Sequence, residues 1–323
     1  MILVISFSDE EHTVDVVQRL ERQGREVLLV DLADFPSQSG MALTWDSQAA
    51  PSYLIDTAKG TIDLSRVNAS WWRRVRPFSV DPAITKPSVR AFIESETGQA
   101  MGGLLDALQC VWVNPRAADD AAHHKPYQWA VAGEVGLKIP RTLVTTKPDA
   151  ARQFMNEMGS RKVVFKAFLA SLDAWRETRL VEPADLERID LVRYAPVIFQ
   201  EYIEGVDLRI TVVGEQVFAV EIDAQKTSYP VDMRMVIGES IVRPVELPSA
   251  VKKAVLQLQR RLGLVYGAID MRRTAEGEYI FFEVNPAGQW LFGEQRTGLP
   301  ISQAIADLLA KLDDQGTARK RNS

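Results

Sequence analysis

The chain has one cysteine, Cys110, in 323 residues. One thiol closes no disulfide and builds no thiolate zinc site, so neither kind of staple is available. Histidine is almost as scarce: His12, His123 and His124 are the whole supply, and two of them are adjacent. A catalytic metal held by imidazoles is not expected from such a set. No apolar run approaches the roughly 20 residues that a membrane-spanning helix needs. Basic charge is not in excess either. Lys and Arg number 38 against 43 Asp and Glu, a net charge of −5, whereas proteins held to nucleic acid by charge run basic. Neither a nucleic acid nor a membrane is therefore expected as a partner. The opening run Met1-Ile2-Leu3-Val4-Ile5-Ser6-Phe7 lacks the basic lead of a signal peptide and reads as a strand, which points to a cytoplasmic protein. No G-x-G-x-x-G follows that strand, so a dinucleotide-binding oxidoreductase has no support.

What is present is ordinary for a folded chain: 46% hydrophobic and 25% charged. The length suits two or three modules. In the first, residues 1–120, strand and helix alternate. Residues 2–7 read as a buried strand, 10–23 as a helix with Val14, Val17 and Leu20 on one face, and 26–30 as a second strand. Such a βαβ opening predicts parallel pairing. Residues 36–66 are dotted with Pro, Ser and Gly and read as a small hairpin or loop excursion. A strand at 69–75 and a long helix at 88–109 follow; the Gly102-Gly103 pair in that helix implies close packing against another element. A short strand at 111–113 closes the module.

A second module, residues 121–198, holds a helical stretch opened by Lys125, a strand at 139–145, a helix capped by Thr146 with Pro148 in its first turn, and a strand at 162–166. The third, residues 199–312, is strand-rich. Strands are predicted at 208–213, 217–222, 265–271 and 278–284, with one helix carrying Val251, Val255, Leu258 and Leu262 and a last one carrying Ile301, Ile305, Leu308 and Leu312. Residues 313–323 read as a basic tail, frayed from Gly316 onward.

The candidate chemistry gathers in the third module. Asp270 ends one strand, and Glu283 and Asn285 lie two apart on the next, so they share a face. Three oxygen donors on neighbouring strands suit Mg²⁺, which takes one or two carboxylates and keeps phosphates and waters. Spacing alone also allows solvated strand-end acids, but Glu283 sits between Phe281-Phe282 and Val284, where a charge needs a partner. Lys125 opens a helix, and Lys166 ends the apolar strand Val163-Val164-Phe165; each can meet phosphate oxygens. The run Phe199-Gln200-Glu201-Tyr202-Ile203 joins the second and third modules and reads either as a plain buried strand or as an apolar linker whose backbone can meet a purine edge. Arg209 alternates with apolar strand residues, Arg234 follows Asp232-Met233, and Arg73 and Arg74 follow Trp71 and Trp72. Each arginine can fork a carboxylate or phosphate, or simply pair at the surface. The two tryptophans read as packing residues first. Together with the 88–109 helix they also offer an apolar surface for a peptide.

In chain order, Lys125, Lys166, Gln200 to Ile203, Arg209, Asp270, Glu283 and Asn285 resemble the ATP-grasp fold. The runs Trp72-Arg73-Arg74, Ile139-Pro140-Arg141-Thr142, Asp232-Met233-Arg234, Glu283-Val284-Asn285-Pro286-Ala287-Gly288-Gln289-Trp290 and Thr297-Gly298-Leu299-Pro300 are similar to those of graspetide synthetases, the microviridin-type branch that macrocyclises ribosomal peptides. The resemblance covers residues 1–312. It implies an α/β and α+β architecture: a parallel pre-ATP-grasp domain, a small central α+β lobe, and a C-terminal lobe with an antiparallel sheet. It further implies ATP and two Mg²⁺ ions as cofactors, with Lys125 and Lys166 on phosphates, Gln200, Glu201, Tyr202 and Ile203 around adenine, Asp270, Glu283 and Asn285 on the metal, and Arg209 and Arg234 at the reacting carboxylate.

The activity so implied is ATP-dependent ligation. Asp or Glu side chains of a ribosomal precursor peptide, leader plus core, become acyl phosphates and then close as esters or amides. A homodimer is implied as well. Two other readings stay open: an amino-acid or dipeptide ligase of the RimK-like kind, with the same acyl-phosphate chemistry, and a nucleotide-binding partner without ligase activity. Two departures are visible: Met233 stands where the family's Asp-Trp-Arg has its ring, and after Lys166 the chain runs Ala167-Phe168-Leu169-Ala170-Ser171-Leu172, with none of the glycine that lets backbone N–H groups close on phosphates.

Overall fold

Four consecutive apolar residues leave a strand no polar face, so it must be covered on both sides. That is the fate of β1 (Ile2–Ile5), every residue of which is buried. The computed structural model describes residues 1–58, 60–159, 161–168, 178–223, 238 and 240–322. After β1 come α1 (Glu11–Arg22), β2 (Val27–Val30), β3 (Met41–Asp46), β4 (Ala49–Thr57), β5 (Gly60–Asp63), β6 (Ala69–Trp72), α2 (Pro87–Ala107), β7 (Val111–Val113) and α3 (Arg116–Ala122). Strands β2, β1, β6 and β7 form one parallel sheet in that order, as the βαβ pattern predicts. The 36–66 excursion is more than a hairpin: β3, β4 and β5 make an antiparallel sheet of three strands. Tyr53, Ile55 and Leu64 from this region join the core of Leu3, Ile5 and Met101.

Three local expectations change. The buried stripe of α1 is Thr13, Val16 and Leu20, with Val14 and Val17 half-buried on its flank, a shift within the helical period. Helix α2 makes no close approach at its glycine pair: a Cβ on Gly102 would meet only the Arg116 guanidinium at 3.7 Å, and one on Gly103 would meet nothing within 4 Å. Trp71 is 1% exposed, so it packs the core and offers no surface to a peptide; Trp72 stacks edge-on against Trp112.

The chain divides into two compact units, residues 1–118 with 300–323, and residues 119–299. In the second unit α4 (Lys125–Glu134), β8 (Thr142–Thr145), α5 (Pro148–Met158), β9 (Val163–Lys166), β10 (Arg179–Leu180), α6 (Pro183–Glu187) and β11 (Val197–Glu201) come first. Their strands pair antiparallel in the order β10, β9, β11, β8, over a core with Phe154, Met158 and Phe199. Helix α5 starts one residue later than predicted. Lys147 is its cap residue, and the Thr145 hydroxyl accepts the Lys147 N–H at 2.8 Å.

Next come β12 (Val206–Val213), β13 (Gln216–Asp223), β14 (Ile241–Pro244), α7 (Ser249–Leu262), β15 (Tyr266–Arg273), β16 (Tyr279–Asn285) and α8 (Leu291–Thr297). The five strands form an antiparallel sheet in the order β14, β13, β12, β15, β16. Val255, Leu258 and Leu262 of α7 are buried at the predicted spacing.

The last element, α9 (Ile301–Asn322), belongs to the first unit, so the expected third module gives up its final helix. The predicted frayed tail is also helical. Its reason is packing at Gly316, where an added Cβ would lie 2.6 Å from the Asn68 Cβ and 2.9 Å from its carbonyl oxygen. Asn68 in turn donates to Asp313 and to the Thr317 hydroxyl, both at 2.9 Å.

Candidate active site

In an antiparallel sheet, directly paired residues put their side chains on one face. Arg209 of β12 pairs with Asp270 of β15, and Asp270 pairs with Glu283 of β16. A cation and two carboxylates therefore form one row across three strands. Arg209 Nε lies 3.2 Å from Asp270 Oδ1. That is an ion pair off the hydrogen-bonding angle, and both atoms are buried without a hydrogen bond among the described residues. Lys125 Nζ donates to Glu283 Oε2 and extends the row to a second cation. Asn285 sits one step along, paired with Ala268, and its Oδ1 accepts the Ala287 N–H at 2.9 Å.

A β-bulge shapes this row. The register passes from Asp270–Glu283 to Met271–Phe281, which leaves Phe282 as the extra residue. Strict alternation fails there: Ile280 and Phe281 are both buried, whereas Phe282 and Glu283 are both half-buried. The bulge explains how a charge survives in so apolar a strand.

Lys166, the last residue of β9, donates to Gln200 Oε1 at 3.0 Å, and Gln200 Nε2 donates to the Thr142 hydroxyl at 2.8 Å. Three strands thus hold one ammonium group. Its Nζ lies 5.9 Å from the centre of the Phe282 ring, next to Glu283. The structure accordingly brings together Lys125, Lys166, Arg209, Asp270 and Glu283, three cations against two carboxylates.

The expected adenine run divides. Gln200 is buried and serves Lys166 through its side chain. Glu201 is the last residue of β11 and pairs with Arg161 at 3.2 Å. Tyr202 and Ile203 leave the strand. The Ile203 carbonyl accepts Arg272 at 2.8 Å, while its N–H donates no hydrogen bond within the described residues. Asp232, Met233 and Arg234 lie outside the described residues, as does most of the segment after Lys166. Arg73 is buried, with Glu10 Oε1 at 3.4 Å from its Nη2, and belongs to the first unit.

Three contributors went unread in the sequence. Arg272 donates to Asp207 at 2.8 Å and to Ile203, and lies over the rings of Tyr202 and Phe282 at 5.5 and 5.6 Å. It stands two residues after Asp270, hence on the same face. Phe282 adjoins Glu283, and Gln128 stands one helical turn after Lys125. Proximity to the singled-out residues was the available signal for all three.

The donor set fits Mg²⁺. Among the described residues Asp270 Oδ1 is a buried oxygen with no hydrogen bond, Glu283 is its direct neighbour, and hard oxygen donors are what this ion takes. Among the described residues no three His, Cys, Asp or Glu cluster, so protein carboxylates alone would not complete a coordination shell. A cavity of about 940 Å³ elsewhere in this unit, near β13, β14 and α7, is lined by Val217, Leu247, Lys252, Lys253 and Leu256 and holds none of these groups. The chemistry, not the volume, locates the site.

A parallel-sheet unit followed by two antiparallel sheets with a lysine-and-carboxylate face defines an ATP-grasp architecture, and comparison with known proteins agrees. The family model described as an MvdD pre-ATP grasp domain matches residues 1–120, and that of a RimK-like ATP-grasp domain matches residues 122–309. The chain belongs to the ATP-grasp family, in the branch of the microviridin macrocyclases. It is similar to macrocyclase MdnC bound with precursor peptide MdnA from Microcystis aeruginosa MRC, at 32% identity over 96% of this chain and 99% of that one, TM-score 0.86. It is similar also to a RiPP-associated ATP-grasp ligase of Chryseobacterium gregarium in complex with ADP and a leader and core peptide, at 27% identity over 96% of both chains, TM-score 0.86. Among curated proteins it is 27% identical over 183 residues to a probable alpha-L-glutamate ligase 2 of Shewanella amazonensis (strain ATCC BAA-1098 / SB2B), covering 55% of this chain and 60% of the relative. The chain thus spans about three fifths of that relative's length. Among the described residues no helix is long and apolar enough to cross a membrane.

Proposed function

We propose that the chain is an ATP-dependent, ADP-forming ligase that closes side-chain ester or amide rings in a ribosomal precursor peptide. The observation that carries the reading is the row Arg209, Asp270, Glu283 and Lys125, with Lys166 beside it. Likeness over almost the whole chain to a macrocyclase bound with its precursor peptide supports a peptide substrate. When bound, ATP and Mg²⁺ supply a γ-phosphoryl group that turns a peptide carboxylate into an acyl phosphate, which a hydroxyl or amine of the same peptide then opens with release of phosphate.

The chain's own residues do the holding. Lys125 and Lys166 neutralise phosphate oxygens. Asp270, Glu283 and Asn285 present oxygens to the metal. The backbone from Gln200 to Ile203, with Tyr202 and the unclaimed Ile203 N–H, receives the adenine edge. Arg209, and Arg234 on the strength of the sequence alone, hold the carboxylate as it is activated. In this reading residues 121–198 and 199–299, without α9, act as the two lobes around the nucleotide, the enzyme works in the cytoplasm, and it is a homodimer. The matches to glutamate ligases keep a second acceptor in view: a free amino acid in place of a peptide side chain.

The test is Glu283→Gln. ADP release driven by a precursor peptide should fall by about a hundredfold or more, with water lost from the peptide in wild-type reactions only. Wild-type turnover in the variant removes the assignment. Turnover with glutamate but with no peptide selects the second acceptor.

A further inference from the structure

Strand β16 is the last of its sheet, so its outer backbone groups need partners from elsewhere. The first turns of α4 supply them. Gln128 Nε2 donates to the Val284 carbonyl at 2.9 Å, and Gln128 Oε1 accepts the Val284 N–H at 2.8 Å. The amide thereby copies the paired bonds of a neighbouring strand. Nε2 also donates to the Ala122 carbonyl. Trp129 Nε1 adds a bond to the Phe282 carbonyl at 2.8 Å. Gln128 is 2% exposed, and both of its N–H donors are used.

The position matters more than the number of bonds. Val284 lies between Glu283 and Asn285, and Gln128 lies one helical turn beyond Lys125. Lys125 on Glu283, Gln128 on Val284 and Trp129 on Phe282 form a line of stitches between one helix and one strand. A methionine would fill the same volume but could make neither bond to Val284.

We propose that Gln128 is a positioning residue: by clamping Val284 it sets α4 in register on β16, and so holds Lys125 opposite Glu283 and keeps the flanking carboxylate and amide placed for a nucleotide-bound divalent cation. The inference rests on the reading of the site given above. Loss of the clamp acts on nucleotide and metal binding before it acts on anything else.

The experiment compares Gln128→Met with Val255→Ala, which thins the α7 core of the same unit at an apolar side chain that makes no hydrogen bond to β16. Calorimetric binding of ADP is measured with and without Mg²⁺, alongside thermal unfolding and the KM and kcat for ATP. Gln128→Met should weaken binding of ADP with Mg²⁺ about tenfold, raising KM more than it lowers kcat. Val255→Ala, with a similar loss of melting temperature, should bind as wild type. Wild-type affinity in Gln128→Met at a temperature where it is folded overturns the proposal. Should Gln128→Met fail to fold, Gln128→Glu is read by the same criteria, since it keeps the acceptor for Val284 N–H and loses both donors. Glu283→Gln with unchanged Mg²⁺-dependent ADP affinity sinks the reading of the site itself; its loss beside an unchanged Gln128→Met sinks only the positioning role.

Discussion

At the scale of single residues, the site is arranged so that each carboxylate has a cation beside it. Asp270 and Glu283 are adjacent acids, and such a pair is tolerable because Arg209 and Lys125 flank it. Arg209 and Asp270 keep only 11% and 14% of their side-chain surfaces exposed. Removing one partner of so enclosed a pair leaves a charge uncompensated, and that costs more than the pair contributes. Arg209→Met should therefore lower stability by about 3–5 kcal/mol. Mg²⁺ with ADP should restore more of the melting temperature in this variant than in the wild type, because the ion replaces the missing counter-charge. An equal effect of Mg²⁺ on both proteins would separate Asp270 from the metal. The grouping of these side chains was legible in the sequence, since acids inside apolar strands, a lysine at a strand's end and one at a helix's start are anomalies that ask for partners. Gln200 was read only through its backbone, as part of the linker, while its side-chain amide faces back into the sheet toward Lys166 and Thr142. Sequence position gives the strand; it does not say which side chain a buried amide will choose.

At the scale of elements, periodicity carried the reading wherever one face is apolar and failed where something else sets the conformation. The parallel strands of the first unit and helix α7 are continuous or 3.6-periodic apolar patterns, and they form as written. The bulge at Phe282, the short β10 and the edge strand β14 have no such pattern, because each is imposed by its neighbour in the sheet. Helix α9 is the sharpest case. Its glycine and basic residues suggested an end at Gly316, but contact with Asn68 continues the helix. Two glycines in two helices then give opposite expectations. Gly103→Ala has open space around it and should gain about 0.5–1 kcal/mol from helix propensity alone. Gly316→Ala gains the same propensity but meets Asn68 below contact distance, an overlap worth about 1–3 kcal/mol. The overlap wins, so its melting temperature should fall. Denaturant midpoints of both variants check the pair, and a stabilised Gly316→Ala would show that α9 does not press on Asn68.

At the scale of the whole molecule, the first unit takes both ends of the chain, 1–118 and 300–323, and carries a buried ionic cluster of its own. Glu10 caps α1 by accepting the Thr13 N–H at 2.7 Å, faces Arg73 and Arg74, and lies beside buried His12. Burial first, and then the Arg73 guanidinium, push the His12 imidazole down to about 4, against the pull of Glu10. For Glu10 burial acts upward, but Arg73, the Thr13 hydroxyl and His12 outweigh it and hold the carboxyl below its ordinary range. The signs combine. Above pH 6.5 His12 is neutral in folded and unfolded chains and contributes no slope. As pH falls from 6.5 to about 4, the unfolded chain takes a proton that the folded one refuses, so stability is lost across that window, by up to about 3 kcal/mol. Below it His12 is charged in both states, and protonation of Glu10 takes over the remaining loss. His12→Gln should flatten the slope between pH 6.5 and 4 and leave the steeper fall beneath it. Hydrogen exchange of the β1 and β6 amides reads this unit directly, and identical slopes in variant and wild type would mean that His12 is free to take up its proton in the folded chain. The carboxylates and lysines of the proposed ATP site all belong to the second unit, so acid in this window is expected to loosen the first unit through a group that no step of the ligation uses.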